Sequence, residues 1–267
     1  MSALRNACIE LAREAGAAIM KIYVQDFEVE SKSDASPLTA ADMASHRIIC
    51  AGLAALMPEI PVLSEESATI DWSVRRGWPR YWLVDPLDGT REFVKKNGEF
   101  TVNIALIEGD ASVLGVVYAP ALDYMVHAER GVGAFVRDGA DDVAMMTTQP
   151  APVPLRVAAS RSHLDARTAA ALEKMGATER IGMGSSLKFC RIAEGRMDVY
   201  PRFGPTSEWD TAAAQCVLEA AGGVVLALDG AALRYNTKES LLNPDFIALG
   251  DATLSWRSWL DDGVAHG

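Results

Sequence analysis

Little in this sequence of 267 residues offers nitrogen or sulfur chemistry, for it holds only four cysteines and four histidines. Cys8, Cys50, Cys190 and Cys216 are widely spaced and form no CxxC pair, which excludes a zinc ribbon or a paired redox motif. Each falls in an apolar helical stretch. They read as buried or half-buried free thiols, which suits a reducing compartment. The histidines do not cluster, and there is no HExxH or Cys/His zinc spacing. His46 and His127 therefore read as structural. No GxSxG elbow and no P-loop is present, and GVGAF at 131–135 lacks the dinucleotide-binding fingerprint. Positive charge is scarce too. Lys and Arg number 25 against 36 Asp and Glu, a formal net charge of -11. That excludes a broad nucleic-acid-binding face. It still permits a small anionic substrate, because a metal ion can supply the positive charge that side chains do not. No charge-free run reaches the about 18 apolar residues that a membrane helix needs. The first 24 residues are interrupted by Arg5, Glu10, Arg13 and Glu14 and read as an amphipathic helix rather than a signal peptide. No basic amphipathic helix suggests attachment to a membrane surface. The expectation is a soluble, cytoplasmic protein.

What is present is core-forming sequence: 49% hydrophobic and 23% charged residues, enough for one large domain or two closely joined ones. Residues 3–24 set Leu4, Cys8, Leu11, Ala15, Ile19 and Ile22 on one helical face. A short strand is expected at 27–31. A second helix follows, with a stripe of Ile48, Ile49, Leu53 and Leu56 closed by Pro58. IPVLSEES and RYWLV read as strands, the latter ending at Asp85. The runs between 100 and 137, broken by Gly, Pro and Asp, read as an antiparallel meander. The proline-rich stretch 147–155 is the one linker-like segment. Beyond it strands (155–159, 197–200, 223–228, 245–249) and helices (163–175, 185–195, 208–221, 251–261) alternate, as in an α/β layer. The reading is an α+β part over 1–150 and an α/β part over 151–267, which completes the active-site cleft. There is no internal repeat.

Three acidic sites lie where apolar strands or a helix start would deliver side chains to a cleft. Glu65 and Glu66 follow PVL, Asp85 and Asp88 follow YWLV, and Asp210 sits in SEWDTAAAQ near a helix start capped by Ser207. Gathered carboxylates raise one another's pKa, and a divalent cation cancels that cost. Oxygen-rich sets of this kind suit Mg²⁺. Pro86 biases Asp85 toward extended backbone, so the turn can aim both aspartates and the Leu87 carbonyl at one point. Gly89 allows a close approach of backbone to ligand. A helix opened by TREFVKK would offer free amides to an anion, and the Thr90 hydroxyl could orient a water. These are parts for metal-assisted hydrolysis of a phosphate ester.

VLSEES, WLVDPLDGT and EWDTAAA, in that order, resemble the metal-site signatures of the inositol monophosphatase superfamily. These are Mg²⁺-dependent, lithium-inhibited phosphatases with a layered α/β/α/β/α fold. DPLDGTREFVKKNGEFTVNIALIEG, SRSH, GSSLKFCRIAEGRMDVYPRFGPTSEWDTAAAQ and LRYNTKESLLNPDF resemble, within it, the 3'(2'),5'-bisphosphate nucleotidases of the CysQ type. That group removes the 3'-phosphate of adenosine 3',5'-bisphosphate (PAP), leaving AMP, and takes the sulfated nucleotide PAPS as a second substrate. It clears a by-product of sulfur metabolism. The resemblance implies metal ligation by Glu65, Asp85, the Leu87 carbonyl, Asp88 and Asp210, with two or three Mg²⁺ per site. It implies a phosphate-binding turn at Gly89 and Thr90, and a water activated by Thr90 with Asp42, Glu65 holding the metal beside it. The attack on phosphorus is in line, with no phospho-enzyme. His163, Ser185, Lys188 and Arg202 match positions that contact the nucleotide and its second phosphate. Relatives occur as monomers and homodimers. The nearest rival is the same chemistry on inositol monophosphate or another small polyol or sugar phosphate, for which Glu208 would be the ring-binding carboxylate. A catalytically silent binding protein is disfavoured by the complete carboxylate set.

Overall fold

A computed structural model describes residues 2–25, 37–159 and 166–260. The strand expected at 27–31 and the candidate His163 lie outside the described residues. Two long helices come first, α1 (Ser2–Tyr23) and α2 (Pro37–Leu56). Seven strands follow: β1 (Val62–Ser64), β2 (Arg80–Asp88), β3 (Thr101–Glu108), β4 (Ala111–Ala119), β5 (Tyr124–Glu129), β6 (Gly133–Asp138) and β7 (Asp141–Met145). One-turn helices α3 (Trp72–Arg75) and α4 (Thr90–Val94) flank β2. The rest of the chain is β8 (Leu155–Ala159), α5 (Ala166–Lys174), β9 (Thr178–Gly182), α6 (Leu187–Ala193), β10 (Val199–Arg202), α7 (Glu208–Ala220), β11 (Val224–Ala227) and β12 (Phe246–Leu249).

The first sheet has the order β1-β2-β3-β4-β5-β6-β7, antiparallel except for the parallel β1–β2 pair. The second is mixed, with the order β11-β12-β10-β8-β9. The change of sheet falls between Met145 and Leu155. Side chains alternate across a strand, and here both faces are apolar. Trp82 and Val84 of β2 and Ile104 and Leu106 of β3 meet α1 and α2 through Cys8, Ile9, Ile19, Ile49 and Leu53. The intervening Tyr81, Leu83, Ala105 and Ile107 meet α6 and α7. Val157, Leu172, Val199, Ile247, Trp256 and Trp259 form a third cluster beneath α5. The molecule is thus a five-layer α/β/α/β/α sandwich, and α7 is its central layer. α7 lies so close to β4 that a Cβ on Gly115 would stand 2.2 Å from the Ala213 carbonyl oxygen.

Several expectations need correction. β2 continues through Pro86 to Asp88 instead of stopping at Asp85. The meander extends one strand further, to Met145. β9 has no signal of its own in TERIG, because it is an edge strand with Glu179 and Arg180 exposed. No regular helix covers 251–260. Asp251 Oδ1 accepts from the Thr253 backbone N–H (2.9 Å) and hydroxyl (2.7 Å), a local turn that competes with a helix, and only the 3-10 turn Trp256–Trp259 follows. Leu56 ends its stripe 41% exposed.

Candidate active site

The site grows from an irregularity in β2. Asp85 pairs with Asn103, yet Asp88, three residues on, pairs with Thr101, two back. One extra residue is therefore accommodated between the aspartates, the kind of bulge that re-aims side chains. Two bonds fix its shape. Asp85 Oδ1 accepts from the Leu87 N–H at 3.0 Å, and Ser45 Oγ of α2 donates to the Pro86 carbonyl at 2.8 Å. The Leu87 side chain is in the core against α2, which leaves its backbone as the part with chemistry to offer. Gly89 follows with φ 89° and ψ 45°, a left-handed conformation that favours glycine. A Cβ there would press on Glu99 O at 3.0 Å and Ser185 Cβ at 3.2 Å. Thr90 opens α4, a single turn.

Asp210 arrives from the other side. It is the third residue of α7, where its Oδ2 accepts from the Ser207 N–H at 2.9 Å in a capping box. Asn243 Nδ2 donates to Ser207 O (2.7 Å) and to Thr211 Oγ1 (3.2 Å), so a distant loop secures this helix start. Ligand oxygens of Asp85, Asp88 and Asp210 lie within 4.8 Å of one another. Among the described residues these three form the one group dense enough to hold a metal by mutual approach. Glu65, in the 3-10 turn after β1, and Asp42, buried on α2, are outside that group, but their charges reach it. Burial, then Asp88, Glu65, Asp210 and Asp42, hold the Asp85 carboxyl well above the usual range. Burial and Asp88 push Asp210 up to about 7. Asp88 is raised by burial, against the pull of Lys188 and of the Ser186 N–H. Such a set fits hard divalent cations, whose charge would replace the protons that these carboxylates otherwise need.

A cleft of ≈ 290 Å³ opens on this group, lined by Asp88, Thr90, Arg91, Lys188, Arg202 and Asp210 among others. Lys188 is 7% exposed. Its Nζ donates to Ser185 O (2.6 Å) and Met183 O (3.3 Å) and stands 5.1 Å from the centre of the Tyr200 ring. Burial lowers it to about 8, with Asp88 opposing. Arg202, at the end of β10, donates from Nε to Gly204 O (3.2 Å) and from Nη2 to Pro205 O (2.9 Å). Both cations are thereby braced by backbone carbonyls.

Not every candidate falls into place. Ser185 lines the cleft with φ 45°, but the cap of α6 is Ser186. Glu208 is 1% exposed and turned inward; it accepts from the Asn236 N–H at 2.9 Å, and burial raises it to about 7. It does not line the cleft, so the carboxylate nominated for an inositol ring is lost. His46 Nδ1 meets Ser64 Oγ at 2.9 Å, and His127 meets Asp142 at 2.8 Å, both outside the cleft lining. Sequence reasoning missed Arg91, Thr206, Asn103 and Ser186. Asn103 had a signal, a lone amide amid the apolar run FTVNIALI. The others had none.

The family model for the inositol monophosphatase family matches residues 1–258. The chain is 51% identical over 245 residues to the 3'(2'),5'-bisphosphate nucleotidase CysQ of Salmonella typhimurium, covering 91% of this chain and 98% of that one. It is 50% identical over 239 residues to the Escherichia coli K12 enzyme of the same name, covering 89% and 96%. The crystal structure of CysQ from Bacteroides thetaiotaomicron superposes with a TM-score of 0.82 at 42% identity, covering 92% of this chain and 97% of that one. An inositol monophosphatase from Zymomonas mobilis shares the fold at 22% identity and a TM-score of 0.78. With the sandwich, the acidic group and these relatives in agreement, the chain belongs to the inositol monophosphatase family.

Proposed function

We propose that the chain is a Mg²⁺-dependent 3'(2'),5'-bisphosphate nucleotidase that hydrolyses the 3'-phosphate of PAP to AMP and phosphate, with PAPS as a second substrate. The observation that carries this reading is one cleft in which two half-buried aspartates, Asp88 and Asp210, backed by the buried Asp85, meet two braced cations, Lys188 and Arg202. Half-identity to CysQ nucleotidases over nearly the whole chain supports it. Asp85, Asp88, Asp210, Glu65 and the Leu87 carbonyl would hold the metals, two or three per site. Bound divalent cations supply positive charge to the phosphoryl oxygens and make water acidic enough to attack. The protein's own groups do the rest. The Thr90 hydroxyl and Asp42 orient the attacking water and take up its proton. Gly89 lets the phosphate lie against the backbone. Lys188 and Arg202, with Ser185 and His163, hold the nucleotide and its second phosphate by charge-assisted hydrogen bonds. A cytoplasmic location suits the free thiols of Cys8, Cys50, Cys190 and Cys216. Among the described residues no helix is long and apolar enough to cross a membrane.

The test is phosphate release from PAP and from inositol 1-phosphate, each with Mg²⁺ and with Mg²⁺ plus lithium. Strong preference for PAP, lost with lithium, is the expected result. Preference for inositol 1-phosphate would keep the metal site and remove Lys188 and Arg202 from substrate binding.

A further inference from the structure

Behind Asp88 lies a chain of polar groups in an otherwise apolar interior. Thr101, Asn103 and Ser186 are 0%, 1% and 2% exposed. The first two stand on β3, and Ser186 stands just before α6, in the other half of the molecule, without capping it through its side chain. The Ser186 N–H donates to Asp88 Oδ2 at 2.6 Å. Its hydroxyl lies 2.9 Å from Asn103 Oδ1 and 2.9 Å from Thr101 Oγ1.

Proton counting fixes the direction of this chain. Asn103 Oδ1 can only accept, so the single Ser186 hydroxyl proton is spent on it. Thr101 must then donate to Ser186. With its oxygen so engaged, the Asn103 amide has its nitrogen left over. Nδ2 is buried and has no hydrogen-bond partner among the described residues.

We propose that Ser186 is a positioning residue for Asp88. Its hydroxyl is anchored between Asn103 Oδ1 and Thr101 Oγ1, and the residue so fixed grips Asp88 Oδ2 through its backbone N–H. The carboxylate is thus oriented by a residue of the second half that is itself anchored on β3 of the first, before a cation arrives. Partners one bond behind a ligand commonly carry much of a site's metal affinity. The inference rests on the reading of Asp88 as a metal ligand.

The experiment is calorimetric titration of the substrate-free protein with Mg²⁺ alone, with thermal melts of each variant in EDTA. Asp88→Asn is the control for the metal reading and is expected to lose most Mg²⁺ affinity. Ser186→Ala is expected to bind Mg²⁺ about tenfold more weakly. The near-isosteric Asn103→Leu should match it, and Thr101→Val should shift affinity the same way by less. Joining Ser186→Ala to Asn103→Leu should cost less than the two losses combined, because both break one chain. Unchanged Mg²⁺ affinity in Ser186→Ala and Asn103→Leu, with Asp88→Asn impaired, overturns the proposal and leaves the metal reading standing. Unchanged affinity in Asp88→Asn overturns both. Melts that fall without any change in Mg²⁺ affinity would mark Ser186 as a packing residue only, and also overturn it. Should Ser186→Ala not fold, Asn103→Leu and Thr101→Val decide the matter alone.

Discussion

At the residue scale the site is governed by carboxylates held away from water. Asp85 is 1% exposed and faces the charges of Asp88, Glu65, Asp210 and Asp42. Without cations that crowding is a cost, so Asp85→Asn should leave the melting temperature in EDTA unchanged or higher. The same change should lower phosphate release from PAP by about 10³-fold, the loss of several kcal/mol of charge stabilisation at roughly tenfold per 1.4 kcal/mol. A variant that melts much earlier in EDTA would show that Asp85 supports the fold rather than a metal. The aspartates were legible in the sequence because their spacing is local, with Pro86 and Gly89 confining the turn. Ser186 was not legible. Its role depends on Thr101 and Asn103, far away in the chain, and GSSL reads equally well with either serine facing the cleft. Glu208 was misjudged for the mirror-image reason. Being two residues before Asp210 on a helix start puts it on a different face, toward Asn236 and away from the metal group.

At the scale of elements, α7 carries Asp210 to its place, and β4 sets where α7 lies. Gly115 is the contact that permits this, since a Cβ would overlap the Ala213 carbonyl at 2.2 Å. Gly115→Ala is therefore expected to lift α7, costing about 1–3 kcal/mol in denaturant unfolding. It should also weaken Mg²⁺ binding in calorimetry, though the residue touches no ligand. Loss of stability without loss of Mg²⁺ affinity would show that the start of α7 is held by its loop contacts instead. A second device ties the β5–β6–β7 edge to α1. Asp142 accepts from His127 Nε2 (2.8 Å) and pairs with Arg137 (2.7 Å) and Arg5 (3.9 Å). Burial lowers the His127 pKa below 6.5, outweighing Asp142, while Arg5 and Arg137 lower it further. As pH falls below about 6.5 the unfolded chain takes a proton that the folded one refuses, so this contribution is full above that value and fades below it. The raised carboxyls of Asp85, Asp210 and Glu208 gain stability over the same range, so the His127 contribution is read by difference: from pH 7 to pH 5.5 the melting temperature of the unaltered protein should fall relative to that of His127→Gln. Equal slopes would mean that His127 titrates normally. The strands of this sheet were legible from their apolar runs, whereas β7 and β9 were hidden because edge strands with exposed charge lack alternation.

At the scale of the whole molecule, the five layers bring together groups that share little else. Asp85 and Asp88 belong to the first sheet, while Asp210 is held through Ser207 by Asn243, just before β12 of the second. The five layers were legible from the resemblance to the family, because periodicity does not say which helix meets which face of β2 and β3. The consequence is mechanical. A cation shared by Asp85, Asp88 and Asp210 would join the two sheets, and would bind only with both in place. Mg²⁺ at 100 times its dissociation constant should then add about 2.7 kcal/mol of stability. In a chain of this size that corresponds to roughly 5–10 °C in melting temperature. EDTA should reverse the gain, and Asp210→Asn should abolish it even though Asp85 and Asp88 remain. If Asp210→Asn kept the full Mg²⁺ shift, the first sheet alone would hold the metal, and the second half would serve the substrate through Lys188 and Arg202. If the shift disappears, the cation is the fastener between the halves, and the net charge of -11 is in part the form taken by a protein that leaves its positive charge to be bound from solution.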